Sequence, residues 1–171
     1  MRLRKLEIKD APFMLEWMHD KDVVKELQAN FIEKTIQDCE AFVRKSLIET
    51  QNLHLAIVDI DDIYMGTVSL KNINYERKSA EFAITIRTIA MQKGFSKFAM
   101  EEIIRKGLDD LGLEQIYWCV SKTNARAIRF YDKNGYQRLD EIPKEFCESY
   151  TPEQVEHYLW YLVEKSQFGG R

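Results

Sequence analysis

The chain has 171 residues, 45% of them hydrophobic and 31% charged, with a formal net charge of −3 and a pI of about 5.7. This length and apolar content suit one domain with a buried core. The small negative charge gives no bulk attraction to nucleic acid or to an anionic membrane, so neither is expected as a partner. No stretch approaches the roughly 20 apolar residues of a membrane span, and residues 1–10 lack a signal peptide's apolar run.

The three cysteines, Cys39, Cys119 and Cys147, are widely spaced and form no Cys-x-x-Cys pair. This spacing favours neither a disulfide framework nor a zinc site, so no metal is expected. We interpret the cysteines as reduced and mostly buried thiols. Together with the absence of a signal-peptide pattern, they predict a cytoplasmic protein.

The first fifty residues predict one strand and two helices. Residues 3–8 place apolar side chains among charges, as a short strand does. Asp10 is positioned to cap a helix that carries Pro12 in its first turn, where proline is tolerated. A second helix is predicted to begin at Thr35, because its hydroxyl and Asp38 three residues later have capping-box spacing.

Three strands with short connections are predicted in the middle of the chain. Residues 53–60 are apolar on both alternations, which is typical of a strand covered on both faces. Residues 63–72 and 79–87 continue the extended pattern. Successive strands joined in this way form an antiparallel meander.

Helices and strands alternate over the rest of the chain. After Gly94 the apolar residues have helical spacing until Gly112, which is placed to end the helix. The remaining predicted elements are a strand over 115–121, a helix over 124–134, a strand beginning at Tyr136, an irregular stretch over 143–152 and a last strand over 157–163. A mixed, mostly antiparallel sheet flanked by about four helices indicates the α+β class.

The turn over residues 91–97 has the composition of a phosphate-binding site. It joins a strand to a long helix, whose first N–H groups have no internal partner and carry partial positive charge. Gly94 allows a ligand to approach the backbone closely, and Lys93 and Lys97 add charge for a pyrophosphate. Taken alone this signal is weak, because most single glycines before helices are simply turns.

A second motif follows about 30 residues later, and the two together resemble the cofactor-binding half of the GCN5-related N-acetyltransferase (GNAT) superfamily. That family carries Asn-x-x-Ala-x-x-x-Tyr-x-x-x-Gly-Phe/Tyr, and the matching positions here are Asn124, Ala127, Tyr131, Gly135 and Tyr136. The chain looks most like the ribosomal-protein-alanine and amino-sugar acetyltransferase group. It departs from the family turn in having Met91 in place of Arg or Gln, and Ser96 in place of Gly or Ala.

The resemblance implies one GNAT-like N-acetyltransferase domain over residues 1–171, with a cofactor-binding core at about 79–136. The implied reaction transfers an acetyl group from acetyl-CoA to a primary amine, by direct attack of the amine in a ternary complex. No nucleophile motif such as Gly-x-Ser-x-Gly is present in the sequence, which favours direct transfer over a covalent enzyme intermediate.

The resemblance also implies roles for individual residues. Tyr131 would protonate the departing thiolate as general acid, and an N–H near Ile84 would polarise the thioester carbonyl. Glu81 is the best candidate for the base, because it lies on the strand that leads to the thioester. The implied cofactor-binding residues are Ile84, Ile86, Gln92, Lys93, Gly94, Phe95, Ser96, Lys97 and Asn124.

Each role has a simpler alternative. Tyr131 could be only a core aromatic residue, Glu81 could form a surface ion pair, and Asn124 could be only a helix N-cap. Arg126 and Arg129 are interpreted as a solvated helix face rather than as phosphate ligands. For the whole chain, the alternative function is a non-catalytic acyl-CoA-binding sensor or regulatory subunit.

The sequence leaves the acceptor open between a small-molecule amine and a protein N-terminus. An amino sugar, an aminoglycoside and a polyamine are all compatible with it. The pocket for the acceptor is expected from residues 23–34 and 142–152. Because the apolar closing strands of this family often pair between chains, the strand over 157–163 could form a homodimer.

Overall fold

The computed structural model describes residues 1–27 and 29–168, and within them seven strands form one sheet in the order β1-β2-β3-β4-β5-β7-β6. The pairing of β4 with β5 is parallel and every other pairing is antiparallel. The strands are β1 (Arg2–Lys5), β2 (Leu53–Val58), β3 (Tyr64–Asn74), β4 (Ser79–Ile86), β5 (Gln115–Ser121), β6 (Gln137–Arg138) and β7 (Tyr158–Glu164). The predicted α+β class and the antiparallel meander are therefore confirmed.

The helices are α1 (Ala11–Met18), α2 (Lys21–Val24), α3 (Ile36–Ser46), α4 (Phe95–Arg105), α5 (Ala125–Lys133), α6 (Pro152–His157) and α7 (Lys165–Phe168). A π-helical turn over Lys106–Asp110 extends α4 towards Gly112. The four longest helices are the predicted ones. The sequence did not predict α2, α6 and α7, because four to six residues are too few to show a helical repeat.

The two faces of the sheet are covered differently. On one face, α4 packs Met100 and Ile103 against Leu70 and Phe82, which form part of the largest core cluster. On the other face, α1 and α3 cover the half of the sheet that β1, β2 and β3 form. The segment before α6 covers β5 on that face, where Phe146 stacks on Tyr117 at 4.0 Å between ring centroids. On this face, β4 lies between the part of the sheet that α1 and α3 cover and the part that the segment before α6 covers.

The predicted cap of α3 is confirmed and that of α1 is wrong. Thr35 accepts a hydrogen bond from the Asp38 N–H at 3.3 Å, and the Asp38 carboxylate accepts from the Thr35 N–H at 2.8 Å. Asp10 makes no such bond to α1. Its buried carboxylate instead accepts two hydrogen bonds from Arg4, both at 2.8 Å, and one from the Glu7 N–H. An ion pair therefore takes the place of the predicted cap.

The cysteines are free thiols, as predicted, but only Cys39 is buried, whereas Cys119 and Cys147 are half-buried. The irregular stretch over 143–152 holds a short 3-10 turn, Lys144–Phe146, and ends where α6 begins after a Thr151 cap. Among the described residues, no helix has the length and apolar character needed to cross a membrane.

At Gly66, the backbone of β4 lies too close to β3 for a side chain on that side. A Cβ atom at this position would lie 2.3 Å from the carbonyl oxygen of Thr85 and 3.1 Å from the Cα atom of Ile86. Backbone atoms cannot rotate away as side chains do. We therefore expect Gly66→Ala to lower the free energy of unfolding by roughly 1–3 kcal/mol, as overpacking does, measured by urea denaturation.

Gly107→Ala is the matched control for this prediction. The added methyl group would approach the flexible side-chain ends of Ile116 and Leu70, at 2.7 and 2.9 Å. Those ends can move, and alanine also has the higher helix propensity. A loss of stability in Gly107→Ala equal to that in Gly66→Ala would contradict the backbone origin of the effect.

Candidate active site

Strands β4 and β5 are paired only at their beginnings. Ser79, Ala80 and Glu81 align with residues 115–117 of β5, and the pairing then ends. Beyond Glu81, β4 stays paired with β3 as far as Ile86, and β5 stays paired with β7 as far as Ser121. The two strands therefore diverge and leave a wedge-shaped opening. From Phe82 to Ile86, β4 is therefore not paired with β5.

The turn before α4 has the geometry of an anion site. Gln92 and Gly94 both have left-handed backbone conformations, with φ of 63° and 86°. The glycine adopts this conformation without strain, whereas glutamine rarely does. No side chain caps α4, so the N–H groups of its first turn have no intrahelical acceptor. Lys93 and Lys97 are exposed beside this turn.

The other predicted cofactor-binding residues lie on β4, in the first turn of α4 and at the start of α5. Ile84 is half-buried and Ile86 is buried, so their backbone edge rather than their side chains is available to a ligand. Phe95 is buried and anchors the start of α4, and Ser96 follows it in the first turn. Asn124 caps α5 through a 3.1 Å hydrogen bond from the Ala127 N–H, so the N-cap interpretation is confirmed.

Arg126 lies against the turn rather than on a purely solvated helix face. Its Nη1 atom is 2.9 Å from the sulfur of Met91, the residue that stands where the family has Arg or Gln. The guanidinium of Arg126 therefore lies beside the turn that precedes α4. Sequence separation of 35 residues concealed this contact, and only the packing of α5 beside the turn produces it.

Tyr131 lies on α5 with 7% of its surface exposed. Its ring packs against Trp118 and Tyr161, at 5.3 and 5.0 Å between centroids. Within the described part of the chain, its hydroxyl makes no hydrogen bond that satisfies ordinary geometry. Burial raises the pKa of the Tyr131 hydroxyl above its usual value, and the nearby Tyr161 acts in the same direction. The hydroxyl is therefore protonated at neutral pH and able to donate.

Glu81 lies at the closed end of the opening and is 5% exposed. One carboxylate oxygen, Oε1, accepts from the Tyr150 hydroxyl at 2.6 Å and from the Lys71 ammonium at 3.2 Å. The other, Oε2, accepts from the Asn72 side-chain amide at 3.1 Å. Burial, together with the charges of Cys119 and Glu81, raises the pKa of Tyr150, so this hydroxyl stays a donor.

The structure does not bring Tyr131 and Glu81 into contact. Successive residues of a strand point to opposite faces. Tyr131 packs on Trp118, on the face covered by α4, whereas Glu81 aligns with Tyr117, whose ring faces the segment before α6. The opening between the diverging strands joins the two faces. A ligand that passes through it would therefore meet Tyr131 on one side and Glu81 on the other.

A groove of about 220 Å³ lies on the face opposite to α4; Glu81 does not line it, but Asn72 both lines it and contacts Glu81. Its lining includes Asn72 and Tyr117, together with two glutamates of the 142–152 segment, Glu145 and Glu148. This segment was predicted to border the acceptor pocket, and Tyr150 does bring it to Glu81. The sequence did not reveal Lys71, Asn72 or Tyr150 as site residues. The predicted antiparallel pairing of residues 63–72 with residues 79–87 is, however, the pairing that brings Lys71 opposite Glu81.

The other predicted acceptor segment, residues 23–34, approaches the start of α5. Glu26 accepts a hydrogen bond from the Thr123 hydroxyl at 2.9 Å, and Phe31 packs edge-on against Trp17. Gln28 lies outside the described residues. Among residues 1–27 and 29–168, no group of three or more His, Cys, Asp or Glu side chains is arranged to hold a metal ion.

The diverging parallel strands, the uncapped helix after β4 and the tyrosine on α5 define a cofactor-dependent acyltransferase. Residues 1–137 match the family described as "Acetyltransferase (GNAT) domain", and the chain belongs to that family. Its reaction is the acetyl-CoA-dependent N-acetylation of an amine.

Curated relatives and a solved structure agree with this assignment. Spermidine N(1)-acetyltransferase from Escherichia coli (strain K12) is 30% identical over 151 residues, covering 85% of this chain and 77% of the relative. Acetyltransferase PseH from Campylobacter jejuni is 24% identical over 138 residues, covering 80% and 82%. Vibrio cholerae spermidine N-acetyltransferase, solved with CoA and spermine, shares the fold with a TM-score of 0.81 at 22% identity, covering 98% and 96%.

Proposed function

We propose that the acceptor is a linear polyamine such as spermidine. The observation that carries the proposal is the buried Glu81 carboxylate, which already holds the primary ammonium of Lys71 at 3.2 Å, beside the groove that Asn72 lines. A carboxylate that accepts from one alkylammonium has the charge and acceptor geometry to accept from another. Glu145 and Glu148 farther along the groove would attract the remaining amines of a polyamine.

Relatives support the same choice. The E. coli protein at 30% identity and the V. cholerae protein at 25% identity are both spermidine acetyltransferases by name. We therefore prefer a polyamine to a protein N-terminus or an amino sugar, although the sequence motifs resemble the ribosomal-protein-alanine and amino-sugar group. That subgroup assignment stays an interpretation.

We also propose how acetyl-CoA is held by the cofactor-binding core at about residues 79–136 of a single domain spanning the chain. The free edge of β4 at Ile84 and Ile86 would pair with the pantetheine arm, and an N–H near Ile84 would polarise the thioester carbonyl. The amides of residues 92–97 would bind the pyrophosphate, with charge from Lys93 and Lys97. Asn124 would contact the arm near its thiol.

In the proposed reaction, the amine nitrogen attacks the thioester carbonyl carbon directly. A nitrogen–carbon bond forms, and the carbon–sulfur bond breaks. Tyr131 donates its proton to the departing thiolate, and the second proton that the nitrogen loses on becoming an amide restores the tyrosine, directly or through water. Glu81 binds the acceptor as an ammonium and takes its proton, directly or through water. Three donors surround Glu81, so binding the amine requires Lys71 or Tyr150 to yield its place on Oε1.

An amine panel tests the proposal. Thiol release from acetyl-CoA is followed with spermidine, spermine, glucosamine and a peptide that begins with alanine. The expected result is turnover with the polyamines and little with the other two. Turnover confined to the peptide or the sugar would refute the polyamine assignment. Thermal stabilisation by acetyl-CoA without turnover of any amine would favour the non-catalytic sensor.

Arg126→Ala should weaken binding of acetyl-CoA. If the guanidinium over Met91 contacts the pyrophosphate, its loss removes a charge-assisted hydrogen bond at an exposed position, and the KM for acetyl-CoA rises about five- to tenfold. The kcat should change little. The control is Arg129→Ala, an exposed arginine on the same helix with no contact to the turn among the described residues. Equal effects of the two substitutions would contradict a specific role for Arg126.

Homodimer formation and a cytoplasmic location stay predictions. One edge of β7 is paired with β5 along its whole length, and the other is paired with β6 only at Tyr161 and Leu162. In a dimer formed through β7, a second chain would therefore have to pair with the short part of this edge that β6 leaves uncovered. Size-exclusion chromatography with light scattering measures the oligomeric state.

A further inference from the structure

Strand β3 contains an irregularity directly beside Glu81. Its pairing with β4 runs regularly as far as Lys71, which lies opposite Glu81, and then shifts so that Asn74 lies opposite Ser79. Within this bulge, Asn72 has a left-handed backbone with φ of 52°. Bulges redirect a side chain, and a non-glycine residue in this conformation carries strain. The irregularity therefore places Asn72 differently from a residue of a regular strand.

The bulge directs two donors of Asn72 to two different partners. Its side-chain amide donates to Oε2 of Glu81 at 3.1 Å. Its backbone N–H donates to the side-chain oxygen of Asn52 at 2.9 Å, and Asn52 in turn donates to Glu49 at 3.1 Å. The start of β2 thus holds the bulge through Asn52. The side-chain amide of Asn72 can therefore donate to the Glu81 carboxylate.

The two oxygens of Glu81 have different surroundings. Among the described residues, Oε2 accepts a hydrogen bond from Asn72 alone. Oε1 accepts from Lys71, whose side chain is 37% exposed, and from Tyr150, which lies on the segment that borders the groove. Lys71 reaches Oε1 through a long, flexible side chain, whereas Asn72, although exposed, reaches Oε2 through a short side chain on a backbone that Asn52 holds. Oε2 is therefore held by a residue of the sheet, whereas Oε1 accepts from donors that an incoming ammonium can displace.

We infer that Asn72 is a positioning residue, which fixes the Glu81 carboxylate through Oε2 so that Oε1 is presented to the acceptor ammonium. This inference rests on the proposed function, in which Glu81 binds the amine. The strain of the left-handed backbone is retained because a regular strand would not aim the amide at Glu81. Asn72 itself does not touch the reacting atoms.

Asn72→Gly separates the side-chain role from the backbone. Glycine adopts the left-handed conformation without strain and keeps the N–H that binds Asn52. The expected result is a kcat/KM for spermidine about tenfold lower, the loss expected for one hydrogen bond to a charged group. The Tm should change little, because relief of backbone strain opposes the loss of the hydrogen bond to the buried carboxylate. The KM for acetyl-CoA should stay within about twofold of the unchanged protein, since the cofactor edge of β4 is not altered.

Lys78→Gly is the matched control. Lys78 lies in the β3–β4 connection with the same φ of 52°, and its exposed side chain pairs with Glu114, away from Glu81. Relief of backbone strain therefore contributes to Tm in both variants, and kinetics should change only in Asn72→Gly. Asn72→Asp keeps the shape of the side chain but replaces the donor with a repelling carboxylate, so its kcat/KM for spermidine should fall further than that of Asn72→Gly.

A double-mutant cycle with Glu81→Gln decides the matter. If Asn72 acts through Glu81, Asn72→Gly changes kcat/KM by less than about twofold in the Glu81→Gln background. An equal loss in both backgrounds overturns the inference. Normal kinetics in Asn72→Gly with impaired Glu81→Gln overturns the inference alone and leaves the proposed function standing. Normal spermidine acetylation by Glu81→Gln removes the role of Glu81 in the proposed function, and the inference with it.

Discussion

Replacing Tyr131 with phenylalanine should lower kcat by roughly 10²- to 10³-fold, the contribution typical of a general acid. Protonation of the sulfur assists cleavage of the carbon–sulfur bond, and the Tyr131 hydroxyl is a buried group that stays protonated because burial raises its pKa. The free energy of unfolding should change little. The ring keeps its packing on Trp118, and no hydrogen bond to another described residue is lost.

Steady-state thiol release with spermidine and urea denaturation measure these two quantities. Tyr161→Phe is the control, because its ring stacks on the same Trp118 and its hydroxyl donates to Asp132 at 3.0 Å, away from the opening. This control should keep nearly full activity. A kcat of Tyr131→Phe within threefold of the unchanged protein would return Tyr131 to the role of a core aromatic residue.

Glu81→Gln is expected to have the other large effect, a roughly 10²-fold lower kcat/KM for spermidine. Glutamine keeps the size of the side chain and an oxygen that can accept from Tyr150, but it removes the charge that binds the acceptor ammonium. The KM for acetyl-CoA should not change, because the cofactor side of the opening is untouched. Initial rates at varied concentrations of each substrate separate the two constants.

Glu148→Gln is the matched control for this prediction. Glu148 borders the same groove but is 64% exposed and pairs with Arg77 at 3.1 Å. Exposed ion pairs contribute little energy, so the effect on spermidine should be at most a few-fold. An equally large loss in both variants would indicate that the overall charge of the groove, rather than the buried carboxylate, binds the amine.

Local sequence signals predicted most of the fold. The Thr35 cap, the apolar periods of α3 and α4, and the extended run of β5 depend on residues near one another in the chain, and all were found where expected. The failures have local causes too. Asp10 has the spacing of a cap, yet its carboxylate is more strongly stabilised by Arg4 than by a helix N-terminus. Short helices such as α2 and α6 carry too few residues to show a period.

The cofactor side of the candidate site was predictable for the same reason. The turn over 91–97 and the motif over 124–136 each lie within a single stretch of chain, so the resemblance to the GNAT family can be recognised from the sequence. The divergence of β4 from β5 beyond Glu81 is seen only once both strands are placed in the sheet. What the sequence by itself determined is therefore the family, the use of acetyl-CoA and the class of reaction.

The surroundings of Glu81 were decided only by the tertiary structure. Three segments meet there: β4 itself, the bulge of β3 with Lys71 and Asn72, and the segment before α6 through Tyr150, while Asn52, just before β2, holds the bulge. A carboxylate acquires its role from the donors and the burial around it, and those are properties of packing. No local pattern in the sequence records them.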